Sequence, residues 1–161
     1  MQHLELAGDL TQQGIREQMD TMVRREQLSG EEASWVDPAT LAGFFRSAVG
    51  QRLLGARWVR REVPFNLSMA AGRVFPQICM PGEQILVQGV MDLVFAEEDG
   101  LVLLDYKTDT PDNIRRNLEP YRLQLGVYKE ALERILGGPV KDVMLYLFST
   151  QEAMGLEELD G

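Results

Sequence analysis

Of the 161 residues in the chain, one is a cysteine (Cys79) and one a histidine (His3). A single cysteine excludes a disulfide within the chain and an iron–sulfur cluster held by four cysteines. Cys79 reads as a passive, partly buried thiol. A lone histidine beside the first residue leaves no nucleophile–histidine pair for small-molecule hydrolysis. Long apolar runs are missing too: none approaches the roughly 20 residues that span a bilayer. Nor does the chain start with the basic and apolar segments of a signal peptide. The expectation is a cytoplasmic protein with no membrane contact.

Positive charge is scarce, with 16 Lys and Arg against 25 Asp and Glu, a formal net charge of −9. Affinity for nucleic acid comes mainly from Lys and Arg neutralising phosphates. Arg57, Arg60, Arg61, Arg115, Arg116 and Arg122 supply local basic groups that do not offset the acids. A chain this acidic binds DNA poorly unless a larger machine feeds the strand to it, or else DNA is not its partner. No phosphate-binding G-x-x-x-x-G-K-[ST] occurs, so there is no motor for nucleotide hydrolysis in this stretch. The length suits a single domain, residues 1–161, with a core of its own.

What the chain does have is two acids and a lysine inside apolar strands. The run Gln88-Gly89-Val90-Met91-Asp92-Leu93-Val94-Phe95 breaks at residues 96–100 and resumes as Leu101-Val102-Leu103-Leu104-Asp105-Tyr106-Lys107, which reads as a hairpin. With residues 97–100 as a four-residue loop, Asp92 falls opposite Asp105. With a two-residue Asp99-Gly100 turn it falls opposite Lys107. The two registers differ by two positions in pairing, so Asp92, Asp105 and Lys107 share a face in either. Opposed carboxylates about 5 Å apart repel unless they share a proton or hold a cation. Oxygen ligands favour a hard ion such as Mg²⁺ or Mn²⁺. A lysine two residues after a ligand can orient water or stabilise charge on a phosphate.

Elsewhere the pattern is helical, then extended. Ile15, Met19, Met22 and Val23 recur at helical spacing over 11–28. Ser29 with Glu32 is a capping box, and Asp37-Pro38 opens an apolar stripe of Leu41, Phe44, Phe45, Ala48 and Val49. Residues 57–67 read as a strand with Val59, Val63, Phe65 and Leu67 on one face, and with Trp58, Arg60 and Glu62 on the other. The stretch 68–82 reads as an irregular connection, and 110–119 as a loop or short helix. A helix follows from Pro120 to Leu136, its apolar face built from Tyr121, Leu125, Tyr128, Leu132 and Ile135. Gln124 and Tyr128 are neighbours on that helix. Residues 143–148 form a strand covered on both faces, parallel to the one ending at Lys107. The acidic tail, 151–161, reads as frayed. The fold class is α/β: a small mixed β-sheet flanked by helices, with a helical N-terminal part.

The order G-V-M-D, D-Y-K-T-D and Q-L-G-V-Y resembles the RecB-type branch of the PD-(D/E)XK nuclease superfamily, and within it the C-terminal nuclease domains of AddA-type helicase–nucleases. The resemblance extends to Gly50-Gln51-Arg52-Leu53-Leu54, Arg61-Glu62-Val63-Pro64-Phe65 and Pro139-Val140-Lys141. It implies a restriction-endonuclease-like core and a Mg²⁺-dependent deoxyribonuclease, with Mn²⁺ as a possible substitute. Asp92 and Asp105 would hold the ion with help from the Tyr106 carbonyl, and Lys107 would act in catalysis. Gln124 and Tyr128 would position DNA, and Glu62 would have an accessory part. Implied partners are a single DNA strand, helicase domains of the same parent chain and an AddB-like partner, in double-strand-end processing for recombinational repair. AddB-type proteins carry an iron–sulfur cluster, and its exclusion here fits the AddA-type branch. Such nucleases add a histidine ligand ahead of the segment matching Met1-Gln2-His3-Leu4, so His3 is expected to be the ligand's neighbour and the fragment alone to be short of one ligand. The competing expectation is a non-catalytic docking or DNA-gripping domain that keeps the nuclease fold.

Overall fold

The computed structural model describes residues 1–75 and 82–159; Cys79 lies outside them. Four helices come first: α1 (Gln12–Arg24), α2 (Gly30–Ser34), α3 (Pro38–Arg46) and α4 (Ala48–Leu54). Each begins where a side chain caps free backbone donors. The Thr11 hydroxyl accepts from Gly14 N–H, Ser29 and Glu32 close a reciprocal capping box, and the Asp37 carboxylate accepts from Ala39 and Thr40 with Pro38 just inside. The single stripe expected from Leu41 to Val49 is divided in two. Ser47 ends α3 by donating to Phe44 O (2.7 Å) and starts α4 by accepting from Gly50 N–H (3.1 Å). One hydroxyl that both donates and accepts turns the chain without losing the apolar face.

A long hairpin of β1 (Trp58–Ala70) and β2 (Gln84–Ala96) follows, interrupted by α5 (Ala71–Val74). The irregular connection is therefore shorter than 68–82, because Leu67 and Met69 both bury and carry the strand onward. Then come β3 (Leu101–Lys107), α6 (Pro111–Arg116), α7 (Leu118–Leu136), β4 (Val140–Leu147), β5 (Glu152–Gly155) and α8 (Leu156–Leu159). Helix α7 starts two residues before Pro120, which the first turn tolerates because its early N–H groups have no helical acceptor. It ends at Gly137, whose φ of 65° is left-handed. Ile135 is 48% exposed, off the buried face on which Leu125 and Leu132 lie.

The strands form one mixed sheet in the order β1-β2-β3-β4-β5, antiparallel except for the parallel β3–β4 pair. As far as residue 159 the tail is not frayed: residues 152–155 pair with β4, and Met154 enters the core at 8% exposure. An open strand edge and an apolar side chain in register with it were enough to order this acidic segment.

Two cores cover the two faces. One packs Leu103, Leu125, Leu132, Val143 and Leu145 beneath α7; the other packs Ile15, Phe44, Phe45, Leu53, Leu104 and Tyr146 beneath α1, α3 and α4. Strands covered on both faces read as continuous apolar runs, as 101–104 and 143–147 do.

The hairpin does not keep its faces. Val59, Leu93 and Phe95 pack toward the N-terminal helices, whereas Val63, Phe65 and Met91 pack toward α7. Residues an even number apart should share a face. The inversion falls at Glu62, which has φ of 51°, across the ladder from Asp92. The single face expected for Val59, Val63, Phe65 and Leu67 is thus two faces joined at a left-handed residue.

Candidate active site

The β2–β3 connection uses the four-residue register: Ala96 pairs with Leu101 and Glu97 N–H bonds Gly100 O at 2.9 Å. Asp92 and Asp105 would be the next pair after Leu93 and Leu104, but the ladder stops there. In place of a backbone acceptor, the Asp92 carboxylate takes the N–H of Tyr106 at 2.8 Å. The strands part at the acid, and the acid satisfies the donor that parting exposes. The face inversion at Glu62 occurs at the same level of the sheet.

Asp105 is buried, at 3% exposure, and is the one buried charged residue among those described. Its Oδ1 accepts from Gln124 Nε2 at 3.3 Å, and its Oδ2 is 2.7 Å from Lys107 Nζ. That contact pairs the buried carboxylate with the lysine ammonium. Burial pushes the Asp105 carboxyl above its usual range; Lys107 opposes the shift and the charge of Asp92 adds to it. Burial also works against the charge on Lys107, but Asp105 and Asp92 outweigh it and hold the lysine above its ordinary value.

The Gln124 amide joins these groups. Its Oε1 accepts from Lys107 Nζ at 3.1 Å, and its Nε2 donates to Asp105 and to Tyr128 Oη at 2.9 Å. Facing an ammonium on one side and a carboxylate on the other, the amide has one orientation that satisfies both. Tyr128 is half-buried, its ring edge-on to Phe65 with centroids 5.4 Å apart. It therefore packs and hydrogen-bonds at once.

Glu62 and Asp92 line a cavity of about 310 Å³ together with Met1, Gln2, Arg61, Leu93, Tyr106 and Phe148. Arg61 donates to Gln2 O at 2.8 Å, fixing the start of the chain there. The Tyr106 ring packs against Phe44 and Phe148 on the side of the N-terminal helices, away from its neighbours Asp105 and Lys107. Its hydroxyl is buried without a hydrogen-bond partner, and burial pushes its pKa up. His3 is exposed and lines a different, polar pocket with Glu5 and Gln18.

The structure thus brings Asp105, Lys107, Gln124 and Tyr128 into one bonded group, with Asp92 near enough for its charge to act on Asp105, Lys107 and Tyr128. Glu62 belongs to the adjoining cavity. Sequence reasoning missed Tyr121, whose ring centroid is 5.8 Å from Lys107 Nζ. Its position three residues before Gln124 on one helix was the available signal.

The donor set suits a hard cation, since the buried Asp105 carboxylate lies near enough to a second carboxylate, Asp92, to feel its charge. Among the described residues, however, no group of three or more His, Cys, Asp or Glu side chains is placed to hold an ion. The two carboxylates are candidate ligands only, short of a full shell.

A mixed five-stranded sheet between helical layers is the core of restriction-endonuclease-like proteins, and the family model for the PD-(D/E)XK nuclease superfamily matches residues 3–158. The chain belongs to that superfamily, whose members generally use divalent metals. Curated relatives narrow the branch. The A subunit of an ATP-dependent helicase/nuclease from Desulforudis audaxviator is 46% identical over 156 residues, covering 95% of this chain. The proteins of the same name from Thermoanaerobacter sp. and Clostridium botulinum are 41% and 37% identical over 92% and 98% of it. The chain spans only 12–13% of the length of these relatives, so it is homologous to their nuclease region. No helix among the described residues is long and apolar enough to cross a membrane.

Proposed function

We propose that the chain is the Mg²⁺-dependent DNA-cutting module of a cytoplasmic helicase–nuclease that processes double-strand ends for recombinational repair. The observation that carries this reading is the buried Asp105, paired to Lys107 and bonded to Gln124, with Asp92 at the parting of the strands beside it. Burying a carboxylate is costly unless something compensates its charge. Here the compensation is one lysine and one amide.

Asp92 and Asp105, with the Tyr106 carbonyl, would hold Mg²⁺ or Mn²⁺; when bound, the ion offsets phosphate charge and makes water a better nucleophile. Lys107 orients the attacking water and offers its positive charge to the phosphate as charge develops. Gln124 holds Lys107 and Asp105 in place, and Tyr128 presents its hydroxyl beside them to position the DNA strand. Glu62 polarises the adjoining cavity in an accessory role. The remaining partners are helicase domains of the same parent chain, which deliver a single strand, and an AddB-like protein.

The test is made in the full-length polypeptide on one linear duplex, following ATP-driven unwinding and Mg²⁺-dependent cutting together. Lys107→Ala should lower cutting by about 10²–10³-fold, the scale for a preorganised charge stabiliser, and Asp105→Asn should abolish it. Both variants should unwind normally. Undiminished cutting by either would leave the docking-domain alternative ahead.

A further inference from the structure

Two polar groups hold the Lys107 ammonium: Asp105 Oδ2 at 2.7 Å and Gln124 Oε1 at 3.1 Å. Its four-carbon stem is flexible, so two contacts do not by themselves fix where the charge points. A third element meets it, the ring of Tyr121 in the first turns of α7, with its centroid 5.8 Å from Nζ. At that separation an aromatic face attracts a cation through its negative quadrupole. Burial, and after it the charge of Asp109, raises the pKa of the Tyr121 phenol, and Ser149 Oγ donates to Asp109 O at 2.7 Å. The backbone of Lys107 is held as well, its carbonyl accepting from Phe148 N–H at 2.9 Å. Tyr121 and Gln124 are three apart on one helix and so approach the lysine from the same side of α7.

We propose that Tyr121 is a positioning residue for phosphodiester cleavage, its ring fixing the Lys107 ammonium beside Asp105. The proposal rests on the nuclease reading above. It assigns the ring, and not the hydroxyl, to the lysine. Tyr121→Phe should therefore keep most of the function and Tyr121→Leu should lose it.

The first readout needs no metal and no DNA. In NMR spectra of this chain, ring current should set the Lys107 ε-methylene signal apart from other lysines. Tyr121→Phe should leave that signal in place, and Tyr121→Leu should move it toward the free-lysine position. An unmoved signal in a folded Tyr121→Leu overturns the contact. The second readout is the cleavage rate of the full-length polypeptide. Tyr121→Leu should lower kcat by about 2- to 10-fold with KM for DNA unchanged, in keeping with a partly exposed cation–π pair. In a Lys107→Ala background the same change should cost nothing further. An equal loss in both backgrounds would make the ring a packing element and overturn the proposal. Failure of the nuclease reading looks different: Asp105→Asn would cut like wild type, while the NMR signal would still decide the Tyr121–Lys107 contact.

Discussion

Gln124 bonds Lys107, Asp105 and Tyr128 at once, and no other side chain in the group could replace it. An acid there would add a third negative charge beside Asp105 and Asp92, and an apolar residue would strand the partners. Because unmet buried hydrogen bonds cost more than met ones gain, Gln124→Leu should destabilise the chain by about 1–2 kcal/mol. Leucine's better helix propensity returns only a few tenths of that. Urea melts of wild type and variant measure the difference, and equal midpoints would mean that water replaces the amide. This residue was legible in the sequence, since an amide beside a packed helix face needs partners. Tyr121 was not, because an aromatic on an apolar stripe looks the same whether it packs or also meets a cation.

At the scale of elements, the site depends on the hairpin reversing its faces. Left-handed φ at a residue other than glycine costs of order 1 kcal/mol, and Glu62 carries it at 51°. Glu62→Gly should therefore stabilise the chain by about 0.5–1 kcal/mol, whereas Glu62→Val should destabilise it by more than that, β-branching being poorly tolerated there. Thermal melts of the two variants should move in opposite directions, and a shared direction would count against backbone strain at Glu62. Strand parity had put Asp92, Asp105 and Lys107 on one face without a register, and the hairpin's register proved to be the four-residue one. Period two also assigned Val59 and Val63 to one face, and there it failed, since nothing in Arg61-Glu62-Val63 marks a left-handed residue. The split of α3 from α4 at Ser47 was hidden for a related reason: the apolar stripe continues through it. At the far end of the sheet, Arg52 of α4 bonds Glu97 through Nε (2.7 Å) and also reaches Asp142, while Lys141 bonds Glu97 and Asp99. The Arg52 guanidinium, aided by Lys141, holds Glu97 down to about 2 against an ordinary 4.5. A carboxylate depressed on folding adds stability that is fully present above its unfolded value and lost as pH falls through the folded one. Stability should therefore fall between about pH 5 and pH 2, and Glu97→Gln should flatten that fall in urea melts taken across the range. An unchanged slope would mean that other acids carry the acid sensitivity.

At the scale of the molecule, charge is the feature most at odds with a DNA substrate. The net charge is −9, and Arg52, Arg73, Arg115, Arg122, Arg134, Lys107 and Lys141 are already engaged in ion pairs with acids of the chain. A cation spent on a carboxylate displaces no counterion from a phosphate. Salt dependence counts such displacements, with a slope of log K against log salt of about −0.7 per phosphate contact for single strands. The chain alone should hold single-stranded DNA weakly, with a slope no steeper than about −2, or roughly three phosphates. Fluorescence anisotropy of a labelled oligonucleotide across a salt series measures it directly. On the proposed reading, the same titration on the full-length polypeptide should give a much steeper slope, because motor domains would track the backbone of the strand they move. A steep slope from the chain alone would mean that its arginines outside those ion pairs, such as Arg60 and Arg116, form a true DNA track. Delivery by a motor would then be unnecessary. A shallow one supports the proposed reading, in which an acidic module would cut only the strand that is pressed into its site.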